Sequence, residues 1–161
     1  MMKEYLKTLI QILKDTPEVI SNYISLISKE EMEIKRGENF WTVKEHLIHL
    51  DYVQDILFNR ILKFKNEEEP KVTPYFPEND KIEKDKFDNV DEILTSYKNK
   101  RDKQIKLINE LSESDMKKEA THDEYKKYNF EIVLNHILFH DYWHMYRIEE
   151  LWLTKDEYLL K

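Results

Sequence analysis

Apolar residues recur at three- and four-residue spacing in four long stretches, the period of a helix with one buried face. In the first stretch, about Lys3 to Ser28, Leu6, Leu9, Ile10 and Leu13 form a stripe. Asp15-Thr16-Pro17 interrupts it. Thr16 as N-cap with Pro17 at the first helical position predicts a restart, hence two short helices or one kinked helix. Arg36-Gly37-Glu38-Asn39 reads as a turn. The second stretch opens at Thr42-Val43-Lys44-Glu45, a capping box in which hydroxyl and carboxylate satisfy orphan amides reciprocally, and runs to about Phe64. From Lys65 to Asp88 the chain is charged, proline-containing and weakly periodic, which predicts a long loop packed through Tyr75 and Phe76. A third helix is expected from near Asn89, with Glu92 three residues on, to about Leu111. Its apolar side is Ile93, Leu94, Tyr97, Ile105, Leu107 and Ile108. After a polar connection, Ser112 to Tyr128, the fourth stretch begins near Asn129 with Ile132 to Leu153 in its interior. Four such segments imply an all-α four-helix bundle, a single domain over residues 1–161, with one long connection between the second and third main helices.

Composition agrees. The chain of 161 residues has one Gly and four Pro, with 37% charged and 40% hydrophobic residues. So few breakers point to helix. No apolar run approaches the roughly 20 residues a membrane span needs, and the early charges Lys7, Lys14 and Asp15 do not suit a signal peptide. The formal net charge of −7 argues against a broad nucleic-acid surface. With no Cys there is no disulfide framework, thiolate metal site or cysteine nucleophile, in keeping with a cytoplasmic protein. One Gly is too few for a phosphate loop or a dinucleotide-binding fold.

The candidate chemistry lies in the histidines. Five of the six fall in two predicted helices: His46 and His49, then His136, His140 and His144. Residues four apart share a helix face, with Cβ atoms about 5–6 Å apart, so His140 and His144 can grip one ion. A third ligand can come from His46 or His49. Neutral imidazole suits Zn, Ni, Cu or Fe(II) better than Mg or Ca. Three protein ligands leave a position for water or substrate, the pattern of a catalytic site. The plainer reading is a set of core histidines with satisfied ring nitrogens. His140 to His144 also approximates the zincin motif, but Asp141 is one methylene shorter than the usual Glu base and the usual third ligand lies far downstream, so a metalloprotease is set aside. His122, in a polar loop, reads as solvated. Glu45 is explained by capping, and Glu67-Glu68-Glu69 by a solvated loop. Arg60 and Arg147 read as surface or structural charges, the alternative being anion holders near a cavity. Tyr142, Trp143, Tyr146 and Trp152 read as core and dimer interface.

Two segments carry a family resemblance. Trp41-Thr42-Val43-Lys44-Glu45-His46-Leu47-Ile48-His49-Leu50 resembles the Trp-Ser-x-x-Glu-x-x-x-His-Leu segment of the DinB-like superfamily. His136-Ile137-Leu138-Phe139-His140-Asp141-Tyr142-Trp143-His144 resembles its His-x-x-x-His on the last bundle helix. The resemblance implies an up-down-down-up four-helix bundle, often a homodimer, with a divalent transition metal (Zn, Ni, Fe or Mn) on three histidines. Carried over residue by residue, the ligands are His49, eight positions after Trp41, and His140 and His144. Periodicity alone puts the apolar stripe (Val43, Leu47, Leu50, Leu57, Ile61) nearer His46, which stays the alternate. His136 is then expected behind the ligands or in the core. Some members resemble transferases that join low-molecular-weight thiols to electrophiles, and others have been read as metal-dependent hydrolases. The resemblance therefore implies transfer of a small thiol to an electrophilic small molecule. The alternatives are hydrolysis, or a dimeric bundle that binds metal or ligand without turnover. Two departures bear on this: acids common three and five positions after the first ligand are Tyr52 and Gln54 here, which leaves the substrate class open.

Overall fold

The computed structural model describes residues 4–75, 87 and 89–159. Its long helices are α1 (Glu4–Ile24), α3 (Val43–Asn66), α4 (Val90–Glu110) and α5 (Phe130–Leu153), with short helices α2 (Lys29–Met32) and α6 (Asp156–Leu159). The expected starts are realised through their caps. Thr42 accepts from the Glu45 amide while the Glu45 carboxylate takes the Thr42 amide. Asn89 caps α4 through the Glu92 amide, and Asn129 caps α5 through the Ile132 amide. Each side-chain oxygen satisfies one of the amides a helix start leaves without a partner.

Of the two alternatives at Pro17, one helix is found and not two short ones. Helix α1 runs through it, and the Thr16 hydroxyl donates to the Ile12 carbonyl, 2.8 Å, instead of capping. Proline has no N–H, so the Leu13 carbonyl four residues earlier loses its helical donor. The Arg101 guanidinium from α4 supplies the replacement at 3.2 Å. A tertiary contact thus stands in for the missing helical hydrogen bond and keeps the helix continuous.

Helix α1 packs on α4 and α5, and α3 packs on the same two. Cross-helix pairs give the directions. Tyr5 meets Asn135, and Leu13 reaches Asp141 through Arg101, so α1 and α5 run parallel. Asp51 meets Lys100 and Lys65 meets Glu110, so α3 and α4 run parallel. His46 meets His144 and Phe64 meets Phe130, so α3 and α5 run antiparallel. The order is up-down-down-up: α1 and α3 lie on one diagonal, α4 and α5 on the other, and the parallel α3 and α4 are neighbours. A helix of 24 residues is about 36 Å long, and the chain has to travel back along α3 before the parallel α4 can begin.

Within the two connections expected to be irregular, three short strands pair: β1 (Lys71–Val72) parallel to β2 (Glu119–His122), and β2 antiparallel to β3 (Tyr128–Asn129). Strands of two to four residues are too short to show alternation in sequence. Tyr75 packs in the expected loop with its ring stacked 6.3 Å from His49, while Phe76 lies outside the described residues.

The core has two apolar clusters. One holds Leu13, Ile61, Phe64, Phe130 and Val133, the other Ile20, Ile24, Leu47, Ile93 and Ile148. Between them lies a buried polar layer of Gln54, Tyr97, Arg101, Gln104 and Asp141. Among the described residues no helix is long and apolar enough to cross a membrane. The α5 aromatics depart from the expected core role: Tyr142, Trp143 and Tyr146 are exposed, and with Phe139 they make one outward stripe. Trp152 is half-buried, edge-on to Tyr23.

Candidate metal centre

Antiparallel α3 and α5 bring four histidines together. His46 and His49 occupy the first two turns of α3; His140 and His144 face them from successive turns of α5. His49 Nε2 lies 3.2 Å from His140 Nε2, which lies 3.2 Å from His144 Nε2. His49, His140 and His144 each offer a ring nitrogen, all within 4.8 Å of one another. His49 and His144 are buried and His140 is half-buried.

These distances fit a metal better than mutual hydrogen bonding. An imidazole nitrogen carries one proton or one lone pair, so His140 Nε2 cannot bond well to both neighbours. Zinc–nitrogen bonds of about 2.0–2.1 Å in a tetrahedron place two nitrogens about 3.3–3.4 Å apart, close to the two 3.2 Å separations at His140. The donor set is all imidazole, which suits a borderline divalent transition ion.

His46 has a different part. Its Nδ1 lies 2.8 Å from His144 Nδ1. With His144 Nδ1–H donating to His46, the His144 Nε2 lone pair turns to the cluster. A hydrogen bond on a ligand's outer nitrogen fixes tautomer and ring orientation. The geometry thus puts His49 in the cluster and His46 behind it.

Trp41, just before the Thr42 cap, closes one side. It packs on His46 at 5.2 Å and lies nearly parallel to His144, 6.0 Å and 10°. The residue before a cap commonly staples to the fourth helical residue, and in α3 that residue is His46.

The environment disfavours charge on three of the four rings. Burial first, then Arg147 and His49, pushes His46 down to about 4. Burial first, then Arg101 and Arg60, pushes His140 down to about 4. His144 is held far below the usual histidine range by burial and then by the three other rings. Neutral rings keep the lone pairs a metal requires.

The remaining candidates separate cleanly. Asp141, the residue in the place of a zincin base, turns away from the histidines: its Oδ2 accepts from Arg101 Nη2 and from the Tyr97 hydroxyl, both at 2.8 Å. Gln54 accepts from the same guanidinium at 2.9 Å and does not reach the cluster. His136 stands one turn before His140 with its Nδ1 3.2 Å from the Tyr128 hydroxyl. His122 is half-buried on β2 and stacked on Tyr128 at 4.7 Å; pairing of β2 with β3 draws it out of the solvated position expected of it. The polar layer was missed in the sequence, although it left a signal. The apolar stripe of α4 breaks between Tyr97 and Ile105, where Arg101 and Gln104 occupy core positions.

Fold and site together define a four-helix bundle that carries, between two antiparallel helices, a three-histidine cluster able to hold a metal ion. The chain belongs to the DinB superfamily, whose family profile matches residues 12–148. Among solved structures it is similar to YfiT from Bacillus subtilis, described as a probable metal-dependent hydrolase with an unusual four-helix bundle topology. The TM-score is 0.73 at 20% identity, over 94% of this chain and 87% of that one. At that identity the likeness speaks for the fold. No curated protein matches the chain.

Proposed function

We propose that this protein is a metal-dependent enzyme that joins a small thiol to an electrophilic small molecule at His49, His140 and His144. The observation that carries the reading is the gathering of three imidazole nitrogens within 4.8 Å of one another, with His46 orienting His144 from behind. A bound divalent ion supplies Lewis acidity that lowers the pKa of a thiol or of water. The chain's own residues hold and orient. Trp41 shields one side of the cluster. Neither Asp141, engaged by Arg101, nor Glu45, engaged by the Thr42 amide and Lys35, faces it as a base. That favours a thiol, which ionises far more readily than water and needs less help from a base. In the reaction the thiol's proton passes to solvent, sulfur bonds to the electrophilic carbon, and the leaving group departs with its electron pair.

A second reading, metal-dependent hydrolysis, is favoured by the description of YfiT. The test is metal content of untagged protein by mass spectrometry, beside His140→Ala, with thiol conjugation to a chromogenic chloronitroarene. Near-stoichiometric metal in the parent, none in the variant, and conjugation above that of metal-stripped protein are expected. Metal in the parent without conjugation would pass the weight to hydrolysis. No metal in either protein would overturn both readings.

A further inference from the structure

Beside the histidines lies a cleft of about 490 Å³. His140 forms part of its wall, and Arg60, His122, Tyr125, His136 and Phe139 form much of the rest. Arg60 lies eleven residues after His49 on α3, three turns on and close to the same face, about 16 Å along the axis. Its charge acts on both His136 and His140, with which it shares the cleft wall.

Arg60 is half-buried, and among the described residues no carboxylate pairs with it. One Nη donates to the Thr73 carbonyl at 3.1 Å, and the guanidinium also bonds to the Tyr128 hydroxyl. Both partners are neutral. A guanidinium has five N–H donors and a permanent charge, so two neutral acceptors leave donors and the whole charge uncommitted. These partners fix the guanidinium in place, which removes much of the entropy cost a free arginine would incur on binding.

We infer that this cleft is a subsite for the carboxylate of an elongated organic substrate, held by Arg60 while the reacting end reaches the histidine cluster. The inference rests on the proposed metal-site reading for the reacting end, and on Arg60 and the cleft for the anionic end. The aromatic walls Tyr125 and Phe139 suit an apolar stem between the two ends. One fixed cation matches a singly charged carboxylate, and Glu124 at the exposed rim opposes the second charge of a phosphate. His136 is held neutral by burial first and then by Arg60 and His122, so it adds a hydrogen-bonding group without adding charge.

The test uses 6-mercaptohexanoate and 6-mercaptohexan-1-ol, which differ only at the end Arg60 would read. Both are titrated into cobalt-loaded and metal-free protein, parent and Arg60→Gln. Binding is followed by cobalt–thiolate absorption and by the imidazole C–H NMR signals of His122 and His136. In the parent the carboxylate is expected to bind at least about 10-fold tighter, the usual scale of a hydrogen bond to a charged group. In Arg60→Gln the preference is expected to vanish while cobalt content is unchanged. Equal binding of the two probes in the parent, a preference retained in Arg60→Gln, or tighter binding of inorganic phosphate than of acetate would overturn the subsite. Failure of cobalt to load, with a carboxylate preference at His136 that Arg60→Gln abolishes, would sink the metal reading and leave the subsite standing.

Discussion

Two buried polar groupings lie within a helical turn of each other on α5, and they are built on opposite plans. Around Arg101, each donor of the guanidinium that is used meets an acceptor, although Asp141 Oδ1 and Gln104 Oε1 stay without a partner. The guanidinium donates to Asp141, Gln54, Tyr97 and the Leu13 carbonyl, and Tyr97 donates onward to Asp141. Around His140, like atoms face each other: three ring nitrogens converge with too few protons to share. A complementary network holds four helices in register. A frustrated one depends on the surrounding packing, and a ligand from outside would relieve it. The contrast sets a structural polar core beside a candidate binding site.

The sharpest way to break the comparison is to remove one member from each grouping. Arg101→Met leaves the Asp141 carboxylate buried with Tyr97 as its remaining partner and deprives the Leu13 carbonyl of its donor at Pro17. Loss of one partner from a buried ion pair costs about 3–5 kcal/mol, a large part of a typical domain's stability. The urea midpoint should collapse, or the protein should fail to accumulate folded. A midpoint close to the parent's would show that the network is dispensable.

His144→Leu should do the reverse. Metal binding is expected to be lost, because two imidazoles remain where three converged. The metal-free protein should keep its urea midpoint or raise it, since an apolar side chain replaces a crowded polar one among buried neighbours. A drop comparable to that of Arg101→Met would mean that the histidines are structural after all.

The most gradual effect is a pH dependence. His46 and His140 titrate near 4 in the folded protein and near 6.5 when unfolded. As pH falls through that window, the unfolded chain takes up protons that the folded chain refuses. Stability is therefore full above about 6.5 and declines toward 4, by at most about 1.4 kcal/mol per pH unit per histidine. Urea midpoints of metal-free protein at pH 7.5, 6 and 5 check this, and a flat profile counts against neutral buried rings. Metal should flatten the upper part of the curve, because it competes with protons for the same lone pairs.

Much of this architecture was legible in the chain. The caps Thr42, Asn89 and Asn129 announce three of the four long helices because capping is local chemistry, written within four residues. The spacing of His140 and His144 announces a shared face for the same reason. What escaped was non-local. Whether Pro17 breaks a helix depends on a guanidinium 84 residues away, since Arg101 reaches the Leu13 carbonyl from α4. Periodicity favoured His46 because its ring is indeed buried, yet only the docking of α5 shows that it lies behind His144 and not beside it. Arg60 read as a surface or structural charge, and nothing in its own helix says which, because its partners Thr73 and Tyr128 come from elsewhere in the chain.

The antiparallel meeting of α3 and α5 joins His49 to His140 across 91 residues. An ion shared by those rings would be a clasp on the chain as well as a reagent. Closing so long a loop removes entropy from the unfolded state, and the gain grows with loop length. This chain has no cysteine with which to make a covalent clasp. Its ion would be the removable equivalent of a disulfide, and the lifetime of the folded protein would rise and fall with the supply of metal.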